Sequence, residues 1–325
     1  MLKFIPKSIN LAYFRNWSFL YKLFFGLFII ALILGSYIEN MIDLAHLNHD
    51  VELWIKSLEA QDLTLDSFLQ EYQQTFGQRS NHSWISIYPD YVLQNQTNDG
   101  PIKIATLISN AKYGSYTIAF FSYFTTISNF SIGLWFLYAA IRPQNEGKKG
   151  YLGYSSTLIL TTYITITMLI WLGLLLPTNL SSGTVMSAKD WFTGLMQHLI
   201  LPLAFIGYVC FTFKSEKLLT THQYMKKEWW KVFFLLLGYG LYCLIRGEIR
   251  YRTNQPSDTL YPYFFFRIHE AKVMGLPGFA WFMIAILLIA AIAFGFSISY
   301  NFIQTKRFPQ YLVLEENKNE IKNKV

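Results

Sequence analysis

Two polar sites interrupt apolar stretches of this chain, and together they carry the residue types for base-assisted acyl chemistry. One is Thr125, in Tyr123-Phe124-Thr125-Thr126-Ile127-Ser128-Asn129; the other is His198, in Gln197-His198-Leu199-Ile200-Leu201-Pro202. An imidazole that takes a hydroxyl proton as the oxygen attacks an acyl carbon is the minimum for a nucleophilic hydrolase. Asn129 follows Thr125 by one helical turn, on the same face, where it could orient a substrate or donate to an oxyanion. The structural alternative is ordinary for each. Threonine and serine in membrane helices bond back to a carbonyl one turn earlier, asparagine links helices, and a lone histidine satisfies an interhelical hydrogen bond.

A second polar group is Arg246, Glu248, Arg250 and Arg252, followed by Tyr261-Pro262-Tyr263, Arg267, His269 and Glu270. It reads either as a solvated loop with an interfacial aromatic belt or as a basic rim that holds an anionic head group. In the second reading Arg246 and Tyr261 position a substrate. His46 and His49 lie three apart beside Asp50, but without a third strong ligand exposed loop polarity accounts for them, and no metal is implied. Cys210 and Cys243 both sit in apolar runs and read as packing residues. Nothing in the chain calls for a cofactor.

The elements that must position these groups are membrane spans. The chain of 325 residues is 53% hydrophobic and 14% charged, against about 25% charged in a soluble domain. Charge is missing from long windows and gathered between them. The windows are 19–38, 116–141, 155–176 (stopping at Pro177), 192–213, 232–245 and 278–302. The first reads as an uncleaved anchor rather than a signal peptide, because Leu34-Gly35-Ser36-Tyr37-Ile38 is a poor cleavage site. The expected fold class is therefore an all-α polytopic membrane protein with six transmembrane helices and cytoplasmic termini. Orientation follows from lysine and arginine: with the N-terminus inside, inner segments hold 17 of the 27, the positive-inside bias. The net charge of +7 thus sets topology and does not imply nucleic acid. On an unbroken helix Thr125 lies roughly 14 Å below the outer boundary and His198 roughly 9 Å, so the two can meet if the second and fourth spans pack together.

The expected layout is a cytoplasmic segment at 1–18, the first helix at 19–38, an extracytoplasmic loop at 39–115, a five-helix core at 116–304 and a partly disordered tail at 305–325. Within the loop, Val51, Trp54, Ile55 and Leu58, then Leu65, Phe68, Leu69, Tyr72 and Phe76, recur at helical spacing; Thr64 and Gly77 cap the second set. Residues 81–100 look like loop. Asn81-His82-Ser83, Asn95-Gln96-Thr97 and Asn179-Leu180-Ser181 match the glycosylation acceptor pattern.

Three segments in this order, on a six-span chain, carry a resemblance: Phe-Thr-x-x-Ser-Asn at 124–129, His-x-x-x-Pro at 198–202, and Tyr239 through Arg246-Gly247 followed by Tyr261-Pro262-Tyr263-Phe264. They resemble the androgen-induced-protein and ADTRP-like membrane family, in its bacterial branch, over about residues 116–300. The resemblance implies a threonine-dependent hydrolase of fatty-acyl esters. The family threonine falls on Thr125, with Thr126 as its substitute, and the family histidine on His198. Counted from Leu201-Pro202, the eukaryotic histidine position is Gln197. The expected partner is a membrane lipid or acyl-ester substrate. The reading from a different class is a lipid-binding or transport-like protein without turnover; no internal symmetry favours transport.

Overall fold

A computed structural model describes residues 16–58, 64–79, 81–90, 106–148, 150–181, 183, 185–215 and 218–312. Most of the N-terminal segment, the tail from residue 313 and the triplet Asn95-Gln96-Thr97 lie outside the described residues. The chain is all-α, with a single two-stranded hairpin among the described residues, and six of its helices are long and apolar enough to cross a membrane. In chain order the elements are α1 (Trp17–Ser57), α2 (Leu65–Phe76), β1 (Ile85–Pro89), β2 (Leu107–Ala111), α3 (Tyr113–Phe120) and α4 (Phe124–Ile141). They continue as α5 (Tyr154–Ser181), α6 (Ala188–Phe211), α7 (Thr221–Lys227), α8 (Lys231–Arg252) and α9 (Gly278–Arg307). The spanning helices are α1, α4, α5, α6, α8 and α9. Phe234 and Leu237 on α8 are each 72% exposed and Leu287 on α9 is 67% exposed. Surface of that kind is a liability in water and is ordinary where lipid is the solvent.

Several boundaries differ from the sequence reading. The first helix does not stop at Ile38: α1 runs for 41 residues, about 60 Å, twice the ~30 Å hydrocarbon core. No proline or glycine follows Gly35 in it, and Leu44, Leu47, Val51, Ile55 and Leu58 are buried at three- and four-residue steps. The set expected as a separate loop helix is thus its far end. The second window is divided. Phe121-Ser122-Tyr123 turns between α3 and α4, and Ser122 Oγ donates to the Ile118 carbonyl, competing with the helical ladder there. Pro177 does not end the third span, which runs on to Ser181, and the fifth continues through Arg246 to Arg252.

The chain forms two compact units. The first comprises residues up to Ile33, Phe124–Tyr242 and Ile268 onward. Its centre is α5, which packs against α4, α6 and α9. Thr157, Thr161, Thr162 and Thr165 are fully buried there, and each hydroxyl donates to the carbonyl four residues earlier at 2.7–2.8 Å. That is how a threonine-rich stretch becomes apolar enough for a helix interior. Beside it Trp135, Phe136, Phe205 and Tyr208 meet edge to face, with ring centroids 5.2–5.8 Å apart.

One ion pair anchors this unit. Lys22 Nζ reaches Glu146 Oε2 at 2.7 Å with both side chains nearly buried, and Tyr208 donates to Glu146 Oε1 at 2.6 Å. Removing one partner strands the other charge, which is far worse than removing both. Glu146→Ala should therefore destabilise the protein by about 3 kcal/mol. Adding Lys22→Met should recover most of the loss, as read by unfolding in detergent; a double variant no better than the single would contradict this account.

The second unit comprises Leu34–Tyr123 and Cys243–Arg267. Its core is Leu47, Val51 and Ile55 of α1 and Leu58 just after it, with Phe68 and Phe76 of α2, supported by Trp54 and Tyr72. The caps of α2 are those read from sequence: the Ser67 N–H donates to Thr64 Oγ1 at 3.2 Å, and the Gly77 N–H to the Gln73 carbonyl. Residues 81–90 are more ordered than a loop. They hold a short 3-10 turn and β1, which pairs antiparallel with β2 in the register Ile85 opposite Ala111 to Pro89 opposite Leu107. Ile85, Ile87 and Leu107 of the hairpin complete the core.

Candidate functional site

The geometry around His198 begins with Pro202. A proline has no N–H and cannot serve a carbonyl one turn back. In α6 the stretch Met196–Ile200 widens to a π turn, and the Leu201 N–H bonds to the Met196 carbonyl, five residues back. The Gln197 carbonyl thereby loses its α-helical partner, and the next residue along, Pro202, has no hydrogen to offer. Asn129 of α4 fills the gap: its Nδ2 donates to the Gln197 carbonyl at 2.9 Å and to the Thr125 carbonyl at 3.0 Å. Turns of this kind recur at functional sites because they open the backbone to outside partners.

This arrangement changes the role expected of Asn129. Both amide hydrogens are engaged by backbone carbonyls, which also fixes which end of the amide is nitrogen. The side chain cannot donate to an oxyanion. What remains is Oδ1, buried and without a hydrogen-bond partner, an acceptor that would hold a hydroxyl or a water.

His198 is held against α5. Its ring stacks on Trp171 of α5 with centroids 4.8 Å apart and planes 5° from parallel. The Thr167 backbone lies near enough to act on the ring, and Nδ1 is buried with no partner. With the ring proton on Nε2, Nδ1 is a bare lone pair, the form a general base requires. Thr167 Oγ1 meets Ser128 Oγ at 2.8 Å, and Ser128 Oγ donates to the Thr125 carbonyl at 3.2 Å. Asn129 thus bonds α4 to α6 and Ser128 bonds α4 to α5, while His198 of α6 stacks on α5.

Thr125 is buried and lies in the first turn of α4, so the depth expected for an unbroken span does not apply. Its carbonyl takes the side-chain bonds of both Ser128 and Asn129. Thr126 beside it is buried to the same extent. The turn stands at the positive end of the α4 dipole.

Sequence reasoning did not single out Trp171 and Thr167. A signal for Trp171 exists: it opens a second π turn, Trp171–Leu175, in which the Leu176 N–H bonds to the Trp171 carbonyl. Pro177 stands in the same place after this turn as Pro202 after the other: Leu-Leu-Leu-Pro at 174–177 matches Leu-Ile-Leu-Pro at 199–202. The two turns present the two stacked rings.

Arg246 and Tyr261 belong to the second unit, whereas Thr125, Asn129 and His198 belong to the first. In the second unit Arg246 Nη1 donates to the Leu260 carbonyl at 3.1 Å. One turn on, Arg250 donates to the Thr259 carbonyl at 2.9 Å and to Thr259 Oγ1 at 2.6 Å, with its guanidinium over the Trp84 ring. The Tyr261 ring lies against α8 at Gly247, where any Cβ would overlap it. His46 and His49 are exposed on α1, and among the described residues no three His, Cys, Asp or Glu side chains gather as metal ligands would. Compared with family models, with curated proteins and with solved structures, the chain matches none.

Proposed function

We propose that this integral membrane protein is a hydrolase of fatty-acyl esters, with Thr125 as nucleophile and His198 as general base. The observation that carries the reading is the stacked imidazole. The ring face is held by Trp171, the Thr167 backbone lies near it, and Nδ1 is buried with no hydrogen-bond partner. The neighbouring residue Gln197 is tied through Asn129 to the Thr125 backbone, which brings the threonine turn to the same level.

In the first step Thr125 Oγ bonds to the acyl carbon and its proton passes to His198 Nδ1. The negative oxygen that forms is favoured by the positive end of the α4 dipole, since Asn129 has no hydrogen left to give it. The alkoxide leaves with the proton from Nδ1, giving an alcohol and an acyl-threonine. Water then adds to that ester with the same base, Asn129 Oδ1 accepting its second hydrogen, and the free acid departs as the Thr125 hydroxyl is restored. The resemblance to the androgen-induced-protein and ADTRP-like family supports the same pair of residues.

The finer localisation is part of this proposal. The excess of lysine and arginine on alternate loops places both termini in the cytoplasm and residues 39–115 outside. The abundance of Lys, Asn, Ile and Phe fits an AT-rich bacterial genome, and in a bacterium the membrane proposed is the plasma membrane.

An active-site-directed fluorophosphonate tests the assignment. Labelling of the purified protein should be abolished by Thr125→Ala, and His198→Gln should slow it by about 10²–10⁴-fold. Labelling that persists in Thr125→Ala, in Thr126→Ala and in the double variant would sink it.

A further inference from the structure

We infer that the joined ends of α6 and α9 bind an anionic phospholipid, with Arg307 taking the phosphate and the exposed rings of Phe211 and Phe302 meeting the acyl chains. The inference stands apart from the hydrolase reading and fails separately from it.

Two contacts bring these ends together within the first unit. Gln304 Nε2 of α9 donates to the Val209 carbonyl of α6 at 2.5 Å. The Leu218 N–H donates to the Tyr311 carbonyl at 2.8 Å, so the chain leaving α6 lies beside the chain leaving α9. Across this junction the Arg307 guanidinium stands over the Phe211 ring of α6, 5.2 Å from its centroid, and over the Phe308 ring at 5.7 Å. Lys214 Nζ stands over the same Phe308 ring at 6.0 Å. Two cations from different segments therefore share one ring. Lys306 Nζ stands over Phe302 at 5.6 Å.

Basic residues in the last turn of a helix ordinarily serve its last carbonyls. Arg307 does not: among the described residues it makes no hydrogen bond or ion pair, and its guanidinium lies on rings instead. A guanidinium stacked on an aromatic face keeps its N–H edge for planar recognition of a phosphate.

The carboxylates described in this unit are engaged or placed elsewhere. Glu146 is held by Lys22 and Tyr208, and Glu228 by Ser155 and Lys231. Asp190 bonds Ser187 at the opposite end of α6, and Glu270 precedes the opposite end of α9. In sequence, residues 211–218 and 302–311 hold four basic residues against one acidic, Glu216, and the tail beyond them sets three glutamates against three lysines. The positive charge at the junction calls for an anion from outside the chain.

The apolar half of the site says which anion. Phe211 is 65% and Phe302 50% exposed, at the ends of helices long and apolar enough to span. Lys214, Lys306 and Arg307 beside them are exposed as well. A free anion would use the cations alone; a phospholipid meets cations with its phosphate and rings with its chains.

The full chain is placed in nanodiscs of phosphatidylcholine with a graded share of phosphatidylglycerol, and bound lipid is read by native mass spectrometry. The protein should retain phosphatidylglycerol in preference to phosphatidylcholine. Arg307→Gln should weaken that retention about tenfold and Lys214→Gln about fivefold; Phe211→Ala should weaken it with no change in charge. All three side chains are exposed, so the variants should fold, as circular dichroism checks. Lys226→Gln combined with Lys227→Gln removes two exposed charges from the end of α7 and should cost less than Arg307→Gln alone. Glycerol phosphate, a head group without chains, should not displace the lipid at equal concentration. The inference is overturned if phosphatidylglycerol is retained no better than phosphatidylcholine. It is also overturned if the α7 pair costs as much as Arg307→Gln, since charge alone would then suffice, or if glycerol phosphate displaces the lipid.

Discussion

Asn129→Asp should destabilise the first unit by about 4 kcal/mol, the cost of an uncompensated buried charge. Asn129 is 1% exposed and faces two carbonyls, those of Thr125 and Gln197. An ionised carboxylate would set two negative oxygens against two carbonyl oxygens. A protonated one has a single hydrogen and still leaves one carbonyl unserved. Asn129→Leu removes the same bonds without adding charge and should cost about 2 kcal/mol. The order of stability is then native, Asn129→Leu, Asn129→Asp, read from detergent-driven unfolding followed by circular dichroism. An Asn129→Asp protein at least as stable as Asn129→Leu would show that the two carbonyls do not depend on this amide.

The next largest effect is expected at Gly247. A Cβ there would stand 1.8, 2.2 and 2.4 Å from three carbons of the Tyr261 ring, where carbons in contact sit ~3.5–4.0 Å apart. The ring has to leave, and with it a buried side chain and the strap of backbone that Arg246 and Arg250 hold. Gly247→Ala should cost about 4 kcal/mol, the range for deleting a buried aromatic ring. Combining Gly247→Ala with Tyr261→Ala should cost much less than the sum of the two, since both remove the same packing. The controls lie on the same helix. Gly238 and Gly240 have nothing within 4 Å of a built Cβ, so alanine there should be neutral or stabilise by about 0.5 kcal/mol. Equal losses at all three glycines would point to helix α8 itself rather than to the ring.

Six spans were legible because an apolar run of membrane length matches the thickness of the hydrocarbon it crosses, and the capped helix α2 because Thr64 and Gly77 act locally. What escaped the sequence depended on partners far along the chain. The extension of α1 was hidden because hydropathy falls after Ile38 while helical periodicity does not. Its continuing stripe, Leu44 to Leu58, is buried by α2 and by the hairpin. The break at Phe121-Ser122-Tyr123 lies in an unbroken apolar window, where a single serine hydroxyl competes with the ladder. Thr125, Asn129 and His198 were readable as polar residues out of place. Whether Asn129 gives or accepts was not, because its two hydrogens are claimed by the carbonyls of Gln197 and of its own helix. The prolines at 177 and 202 signalled disturbed helices, but not that the disturbance would present Trp171 and His198 to each other.

The dependence of α6 on α4 has a consequence for how the protein is made. The Gln197 carbonyl is unserved within its own helix, and hydrocarbon offers no water to serve it. A nascent chain emerges from its N-terminus, so Asn129 is synthesised and inserted before Gln197 exists. The group that completes α6 is already waiting in the bilayer when α6 arrives, and the order of the segments in the gene is the order in which they can be accommodated. A version of this protein with α4 moved behind α6 would have to hold an incomplete helix in lipid until its partner came, and its insertion, rather than its final stability, is where that rearrangement would fail.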